Sequence, residues 1–237
     1  MTFLFYDTLE GSTLYMEIIL FLLVFGFFVY AYHEDKKKEQ LLYKAQLLYI
    51  ENYQFNSAIG KKVKNKYPHL TNEQVELVLD GLRDYFYICN KAKRKIVSMP
   101  SQVVDVAWHE FILFTRSYQV FCEKAFGYFL HHTPTEAMRT PTLAKDGIKR
   151  TWRIACAKSK INPSIPARLP LLFAIDSMLS IEDGFKYSLN CKDDDKYCAG
   201  HIGCASGCAG DFGSSAGSVD SGDSDGGNGG CDGCGGD

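Results

Sequence analysis

Residues 98–134 read SMPSQVVDVAWHEFILFTRSYQVFCEKAFGYFLHHTP, and they hold the densest group of side chains in the body of the chain that can bind a metal or move a proton. Three of the six histidines and one of the two tryptophans lie here. Ser98, Pro100 and Ser101 favour a helix start, and Gly127 favours a helix stop. We therefore predict helical structure across this stretch and take it as the candidate functional site.

The best-placed pair in this stretch is Asp105 and His109. They are four residues apart, so a helix puts them on one face. The carboxylate can then hold the imidazole in one tautomer, or both groups can bind one ion. A purely structural hydrogen bond is the alternative. With Trp108 these two residues form the predicted site, and no catalytic role is assigned to any residue.

A larger metal site needs a break in the helix. On one unbroken helix His109 and Cys122 lie about 20 Å apart along the axis and about 140° apart around it, so they cannot share a metal. A break near Phe114 and Thr115 would let the two halves fold together. The metal ligands would then be His109, Cys122, His131 and His132. Histidine and thiolate suit zinc, and iron is the other candidate. The alternative is that the adjacent histidines are surface or capping residues.

The same stretch resembles the glycine-rich domain-containing protein-like family. The pattern that carries the resemblance is Asp105, Trp108, His109, Tyr118, Cys122, Phe126, Gly127, His131 and Pro134, together with the glycine- and cysteine-rich C-terminus. It covers roughly residues 95–237 and implies kinship but little chemistry. Many relatives have a second histidine where this chain has Phe111, and they often have a proline at the position of Thr115.

An apolar run near the N-terminus predicts a membrane anchor. Residues 18–32 read IILFLLVFGFFVYAY, and residues 13–32 are long enough to cross a lipid bilayer if Glu17 lies at the interface. The acidic start argues against a cleaved signal peptide. Three lysines follow at positions 36–38, so the positive-inside bias predicts an outside N-terminus and a cytoplasmic body. Cytosolic thiols stay reduced, which favours metal or redox chemistry over structural disulfides.

Helical spacing predicts further helices along the body. Residues 34–59 continue the first helix, and the lysine-rich residues 61–68 are predicted to form a loop. Thr71 and Gln74 form a capping box before a helix over about 72–91. Helix starts are also predicted at Thr133–Glu136 and at Thr140–Pro141, and residues 171–181 favour a helix over a strand. Asp176 is either a cap or the buried partner of a base.

The C-terminal segment differs in composition from the rest. Six of the nine cysteines lie beyond Asn190. So little apolar surface predicts disorder, since it cannot offset the entropy of ordering the chain. Four of these cysteines could form a metal site or take part in redox chemistry: Cys204, Cys208, Cys231 and Cys234. The alternative is that they lie in an unstructured linker.

Charge is divided unevenly along the chain. Residues 1–32 carry −3, residues 33–180 carry +9 and residues 181–237 carry −8. A mildly basic body is commonly a solvated surface, which argues against a nucleic-acid partner.

The predicted architecture is therefore mainly α, with an N-terminal segment and single transmembrane helix over residues 1–33, a helical cytoplasmic domain over 34–189 and a disordered tail over 190–237. Two function classes stay open. The first is a membrane-anchored interaction or scaffold module with an unidentified protein partner. The second is a zinc or iron protein, or a metalloenzyme, that uses the Asp, His and Cys cluster of the central stretch.

Overall fold

The structure, a computed structural model, describes residues 4–132, 141–189, 198–199 and 202. Side chains are described from residue 20 in the first helix and from residue 144 in the sixth. The fold is mainly helical. The helices in these ranges are α1 Leu4–Glu51, α2 Ser57–Lys66, α3 Asn72–Ala92, α4 Gln102–Leu113, α5 Thr115–Phe126, α6 Pro141–Lys158 and α7 Leu171–Met178.

The chain divides into two compact units, residues 1–49 and residues 50–237. The first unit contains most of α1. The second contains α2 to α7 and, with them, the central stretch.

The predicted membrane anchor is not supported by α1. Across the described residues, no helix combines the length and the apolar character needed to cross a membrane. The predictions of a transmembrane helix at residues 13–32 and of a single-pass topology with a cytoplasmic body are therefore wrong.

The lysine-rich segment after α1 is a helix and not the predicted loop. The helix α1 ends at Glu51, and Asn56 starts α2 by accepting a hydrogen bond from the backbone N–H of Ala58 at 2.9 Å. Ile59 and Val63 are four residues apart and fully buried, so they anchor α2 while its lysines lie toward solvent. The sequence of α2 is therefore amphipathic, but its many lysines led to the prediction of a loop.

The start of α3 is the one that the sequence predicts. The Thr71 hydroxyl accepts a hydrogen bond from the backbone N–H of Gln74, and the Gln74 side chain accepts one from the backbone N–H of Thr71. This capping box satisfies two N–H groups that the helix itself leaves without partners. Cys89 lies on the buried face of α3.

An aromatic core holds α3, α4 and α5 together. The ring of Phe86 on α3 lies 4.7 Å from that of Phe121 on α5 and 6.1 Å from that of Phe111 on α4, measured between centroids. All three side chains are essentially inaccessible to solvent. Burial of each such ring stabilises the fold by roughly 1.5–3 kcal/mol. The core therefore fixes the position of α4, the helix that carries Asp105 and His109.

Asp176 on α7 caps the N-terminus of α4. Its carboxylate is buried and accepts hydrogen bonds from the Ser101 hydroxyl at 2.7 Å and from the backbone N–H groups of Gln102 at 2.7 Å and Val103 at 3.2 Å. A fourth hydrogen bond comes from the backbone N–H of Phe185 at 2.9 Å. Of the two predicted roles, cap or partner of a base, these donors show the cap.

The second half of the body contains α6 and α7, as predicted from Pro141 and from residues 171–181. The predicted helix start at Thr133–Glu136 lies outside the described residues. In the segment predicted to be disordered, three residues are described, and all three are buried: Cys198, Ala199 and Ile202. The backbone N–H of Ala199 donates to the carbonyl of Ser188 at 2.8 Å. Part of that segment is therefore packed against the body.

Candidate metal site

Asp105 and His109 meet on one face of α4. The Nδ1 atom of His109 lies 3.5 Å from the Oδ2 atom of Asp105, at the i, i+4 spacing of a helix. The Asp105 side chain is 22% exposed and that of His109 is 52% exposed. The pair therefore lies at the surface of the body, with the carboxylate on the inner side and one imidazole open to solvent.

His132 comes to the same place from the segment that follows α5. Its Nε2 atom lies 3.1 Å from the Oδ1 atom of Asp105, and its side chain is 15% exposed. Its ring lies 4.3 Å from the ring of His109 and 4.5 Å from that of Trp108, between centroids. One carboxylate thus lies between two imidazoles, with an indole ring against the inner one.

A break in the helix makes this approach possible. The helix α4 ends at Leu113 and α5 begins at Thr115, with Phe114 between them in a non-helical conformation. The helix α5 then ends at Phe126, and its C-cap is Gly127, whose φ of 73° lies in the left-handed region that glycine adopts without strain. The chain turns there, and residues 128–132 return toward α4.

Two hydrogen bonds hold the returning segment. The buried indole Nε1–H of Trp108 donates to the Tyr118 hydroxyl at 3.1 Å. That hydroxyl donates in turn to the backbone carbonyl of Leu130, two residues before His132. Burial raises the pKa of the Tyr118 phenol, so the hydroxyl keeps the proton that it donates.

The geometry of the three polar groups fits a metal ion. Asp105, His109 and His132 can each offer one ligand atom, and these atoms all lie within 4.8 Å of one another. A tetrahedral zinc ion with bonds of about 2.1 Å separates its ligand atoms by about 3.4 Å. Each imidazole lies about that far from a different oxygen of Asp105, His109 at 3.5 Å from Oδ2 and His132 at 3.1 Å from Oδ1, and binding one ion through one carboxylate oxygen takes a small rearrangement.

Cys122 does not join this group. Its side chain is fully buried, and it lies against the Tyr118 hydroxyl and the backbone of Leu130. Burial raises the pKa of its thiol, whereas a metal needs the thiolate. The break near Phe114 is therefore present, but it brings His132 to Asp105 and leaves Cys122 inside the core.

His131 also lies outside the group. Its side chain is exposed, and its ring lies 4.8 Å from that of Phe129. Of the two adjacent histidines only His132 faces Asp105. Of the predicted ligands the structure therefore brings together His109 and His132 and adds the carboxylate of Asp105.

Trp108 contributes to the site as a support. Its side chain is 4% exposed, and its ring contacts those of Tyr85 and Phe86 on α3 as well as that of His132. Tyr118 also supports the site, through its hydrogen bond with Trp108, but the sequence analysis did not name it as a site residue. The two residues are ten positions apart, and this spacing predicts a contact only if the helix is known to break at Phe114.

The predicted tail site lies outside the described residues: Cys204, Cys208, Cys231 and Cys234. Among the tail cysteines, Cys198 alone lies within the part of the chain that the structure describes, and it is disulfide-bonded. The three other described cysteines have free thiols: Cys89, Cys122 and Cys156.

A model of the UCP032817-like family matches residues 45–212. This finding corrects the resemblance to the glycine-rich domain-containing protein-like family, because the matching model is a different one. The match covers helices α2 to α7 and the three residues of the candidate metal site. No curated protein and no solved structure matches the chain.

Proposed function

This chain belongs to the UCP032817-like family, a membership that assigns it no activity, and we propose from the geometry of its central stretch that it binds a divalent transition-metal ion. The ligands are Asp105, His109 and His132. The observation that carries the proposal is the convergence of three ligand atoms within 4.8 Å, one of which arrives from a different segment of the chain.

The donor set selects the metal. Two imidazoles and one carboxylate suit zinc, and they are also the ligand set of non-haem ferrous iron sites. None of the three ligands is a thiolate, so thiophilic ions gain no advantage here. We therefore propose zinc or ferrous iron, with zinc as the ion for testing because it undergoes no oxidation.

The exposure of the site indicates what the ion does. Three protein ligands leave at least one position of a tetrahedral zinc ion for water or substrate, which is typical of catalytic zinc sites and not of structural ones. His109 is half exposed, so the open position is accessible from solvent. A zinc ion bound there would supply a Lewis acid and a water molecule of lowered pKa.

Zinc titration of the full-length protein tests the proposal. The protein is stripped with a chelator, and zinc binding is followed by calorimetry for the wild type, His132→Ala and His131→Ala. His131→Ala is the matched control, because it removes the neighbouring histidine that lies outside the group of three ligands. We expect the wild type and the control to bind one equivalent more than His132→Ala. Counting the difference separates this site from any zinc bound by the tail.

The competing interpretation is an interaction module in which the histidines only hold the loop in place. Under that interpretation all three proteins bind the same number of zinc ions. Equal stoichiometry, with circular dichroism showing that all three are folded, would contradict the proposed metal site and favour the interaction module.

A further inference from the structure

His132 is the ligand of the proposed site whose position is least determined by local structure. Asp105 and His109 are fixed by one helix, whereas His132 lies in a segment without helical structure, 27 residues from Asp105. A metal site requires each ligand within a few tenths of an ångström of its place. A residue other than the three ligands must therefore hold His132 in position.

The Tyr118 hydroxyl is the group that links the segment of His132 to the helix of Asp105. It accepts from the Trp108 indole on α4 and donates to the Leu130 carbonyl, so a single oxygen atom connects both sides. The Trp108 ring in turn packs against the His132 ring at 4.5 Å. We infer that Tyr118 is a positioning residue for the metal site: its hydroxyl sets the distance between His132 and Asp105. This inference rests on the proposed function.

The Tyr118 ring and its hydroxyl have separable roles. The ring is 1% exposed and packs against the rings of Phe111 at 5.2 Å and Phe129 at 5.4 Å. Tyr118→Phe keeps this packing and removes only the oxygen. The Leu130 carbonyl then loses its donor, so the segment with His132 is held less firmly, by the contact of the Leu130 backbone with Cys122 and by the aromatic core.

Tyr85→Phe is the matched control. Tyr85 is also buried, at 3% exposure, and its ring lies 5.0 Å from that of Trp108 on the α3 side. Its hydroxyl interacts with Cys89 on the same helix. Both variants therefore remove one buried hydroxyl beside the same tryptophan, and of these two hydroxyls that of Tyr118 is the one hydrogen-bonded to the returning segment.

The experiment compares zinc affinity and the cobalt(II) absorption spectrum of the full-length wild type, Tyr118→Phe and Tyr85→Phe. We expect Tyr118→Phe to bind zinc about 10–100-fold more weakly, the usual effect of losing an outer-shell partner. Its cobalt spectrum should also change, because the position of one imidazole changes. Tyr85→Phe should match the wild type in both measurements. Thermal melting by circular dichroism verifies that each variant is folded.

The outcomes separate this inference from the proposed function. A wild type that binds no zinc at this site overturns both. A wild type that binds zinc, with Tyr118→Phe equal to it in affinity and cobalt spectrum, overturns only the role of Tyr118. An equal loss in Tyr118→Phe and Tyr85→Phe also overturns it, because the effect would then belong to any buried hydroxyl beside Trp108.

Discussion

The imidazole Nε2 of His132 lies 3.1 Å from the carboxylate Oδ1 of Asp105, although 27 residues separate them in the chain. This contact joins the segment after α5 to the face of α4. Without it Asp105 and His109 would be an ordinary helical pair at the surface, whose ion-pair energy is small. With it three ligand atoms converge, and the pair becomes part of a candidate metal site.

The first prediction is that zinc stabilises the native protein through Asp105. A ligand that binds only the folded state at a hundred times its Kd adds about 2.7 kcal/mol to the free energy of unfolding. We expect zinc to raise the Tm of the wild type and of Glu110→Gln, a change at the next carboxylate of α4. Asp105→Asn should show a smaller zinc-dependent rise, because zinc bound by the tail cysteines is not affected by this change. Differential scanning calorimetry measures all three, and equal shifts in Asp105→Asn and wild type would contradict the prediction.

The second prediction concerns the cap at the N-terminus of α4. Each oxygen of Asp176 accepts two hydrogen bonds, so the amide nitrogen of Asp176→Asn must face two donors in either orientation. Each unsatisfied buried donor costs about 1–3 kcal/mol. We expect Asp176→Asn to lower the free energy of unfolding by about 3 kcal/mol in urea denaturation. Asp146 is exposed, so Asp146→Asn should change the free energy of unfolding by less than about 0.5 kcal/mol. A loss of that small size in Asp176→Asn would show that the carboxylate does not hold α4.

Local sequence signals predicted part of this fold well. The capping box at Thr71 and Gln74 identified the start of α3, because both hydrogen bonds connect residues three positions apart. The lysine-rich α2 was missed, because its helical face is defined by only a few residues, among them Ile59 and Val63, and its cap by Asn56. The predicted membrane anchor is not supported, since no helix among the described residues is long and apolar enough to cross a membrane.

The site could be predicted only in part. The spacing of Asp105 and His109 follows from one helix, so the sequence was sufficient for that pair. The choice between His131 and His132, and the exclusion of Cys122, depend on how the chain turns after Gly127 and on the Tyr118 hydrogen bonds. These are contacts between distant segments, and no local pattern encodes them.

The third prediction concerns the packing of α6 against the segment before α4. A Cβ atom at Gly147 would overlap the Ser98 hydroxyl, which donates a hydrogen bond to the Ala144 carbonyl at 3.1 Å. The same Cβ would lie 3.1 Å from the Ser98 backbone nitrogen. Overpacking costs about 1–3 kcal/mol, which exceeds the gain in helix propensity of about 1 kcal/mol from replacing glycine with alanine. We therefore expect Gly147→Ala to lower the free energy of unfolding by about 1–2 kcal/mol.

Gly26→Ala is the control for this change. A Cβ atom at Gly26 in α1 meets no atom of the described residues within 4 Å. This substitution should leave the stability unchanged or raise it slightly. If Gly147→Ala were as stable as the wild type in urea denaturation, the close contact between α6 and Ser98 would be refuted.

The fourth prediction is a loss of stability at alkaline pH that depends on the buried thiols. Burial raises the pKa of the Cys156 thiol to about 11, and it also raises the pKa of Cys89 and of Cys122. Between the ordinary thiol value near 9 and these raised values, the unfolded chain loses protons that the native state keeps. The free energy of unfolding must therefore decrease as the pH rises through this window.

Substitution of Cys156 isolates its share of this effect. Urea denaturation at pH 8 and pH 10.5 compares the wild type with Cys156→Ala. The variant starts from a lower stability, because a buried side chain has been shortened, but it should lose less between the two pH values. Parallel losses in the two proteins would mean that the Cys156 thiol ionises equally in the folded and unfolded states.

Zinc X-ray absorption spectroscopy tests the central claim most directly. The sample is the full-length protein with one equivalent of zinc, in which Cys204, Cys208, Cys231 and Cys234 are replaced by serine so that these tail thiolates are removed. We expect a first shell of nitrogen and oxygen atoms at about 2.0–2.1 Å, with the outer scattering of imidazole rings. The same spectrum should be absent from the His132→Ala variant. A sulfur shell at about 2.3 Å, or a spectrum unchanged by His132→Ala, would contradict a site made of Asp105, His109 and His132.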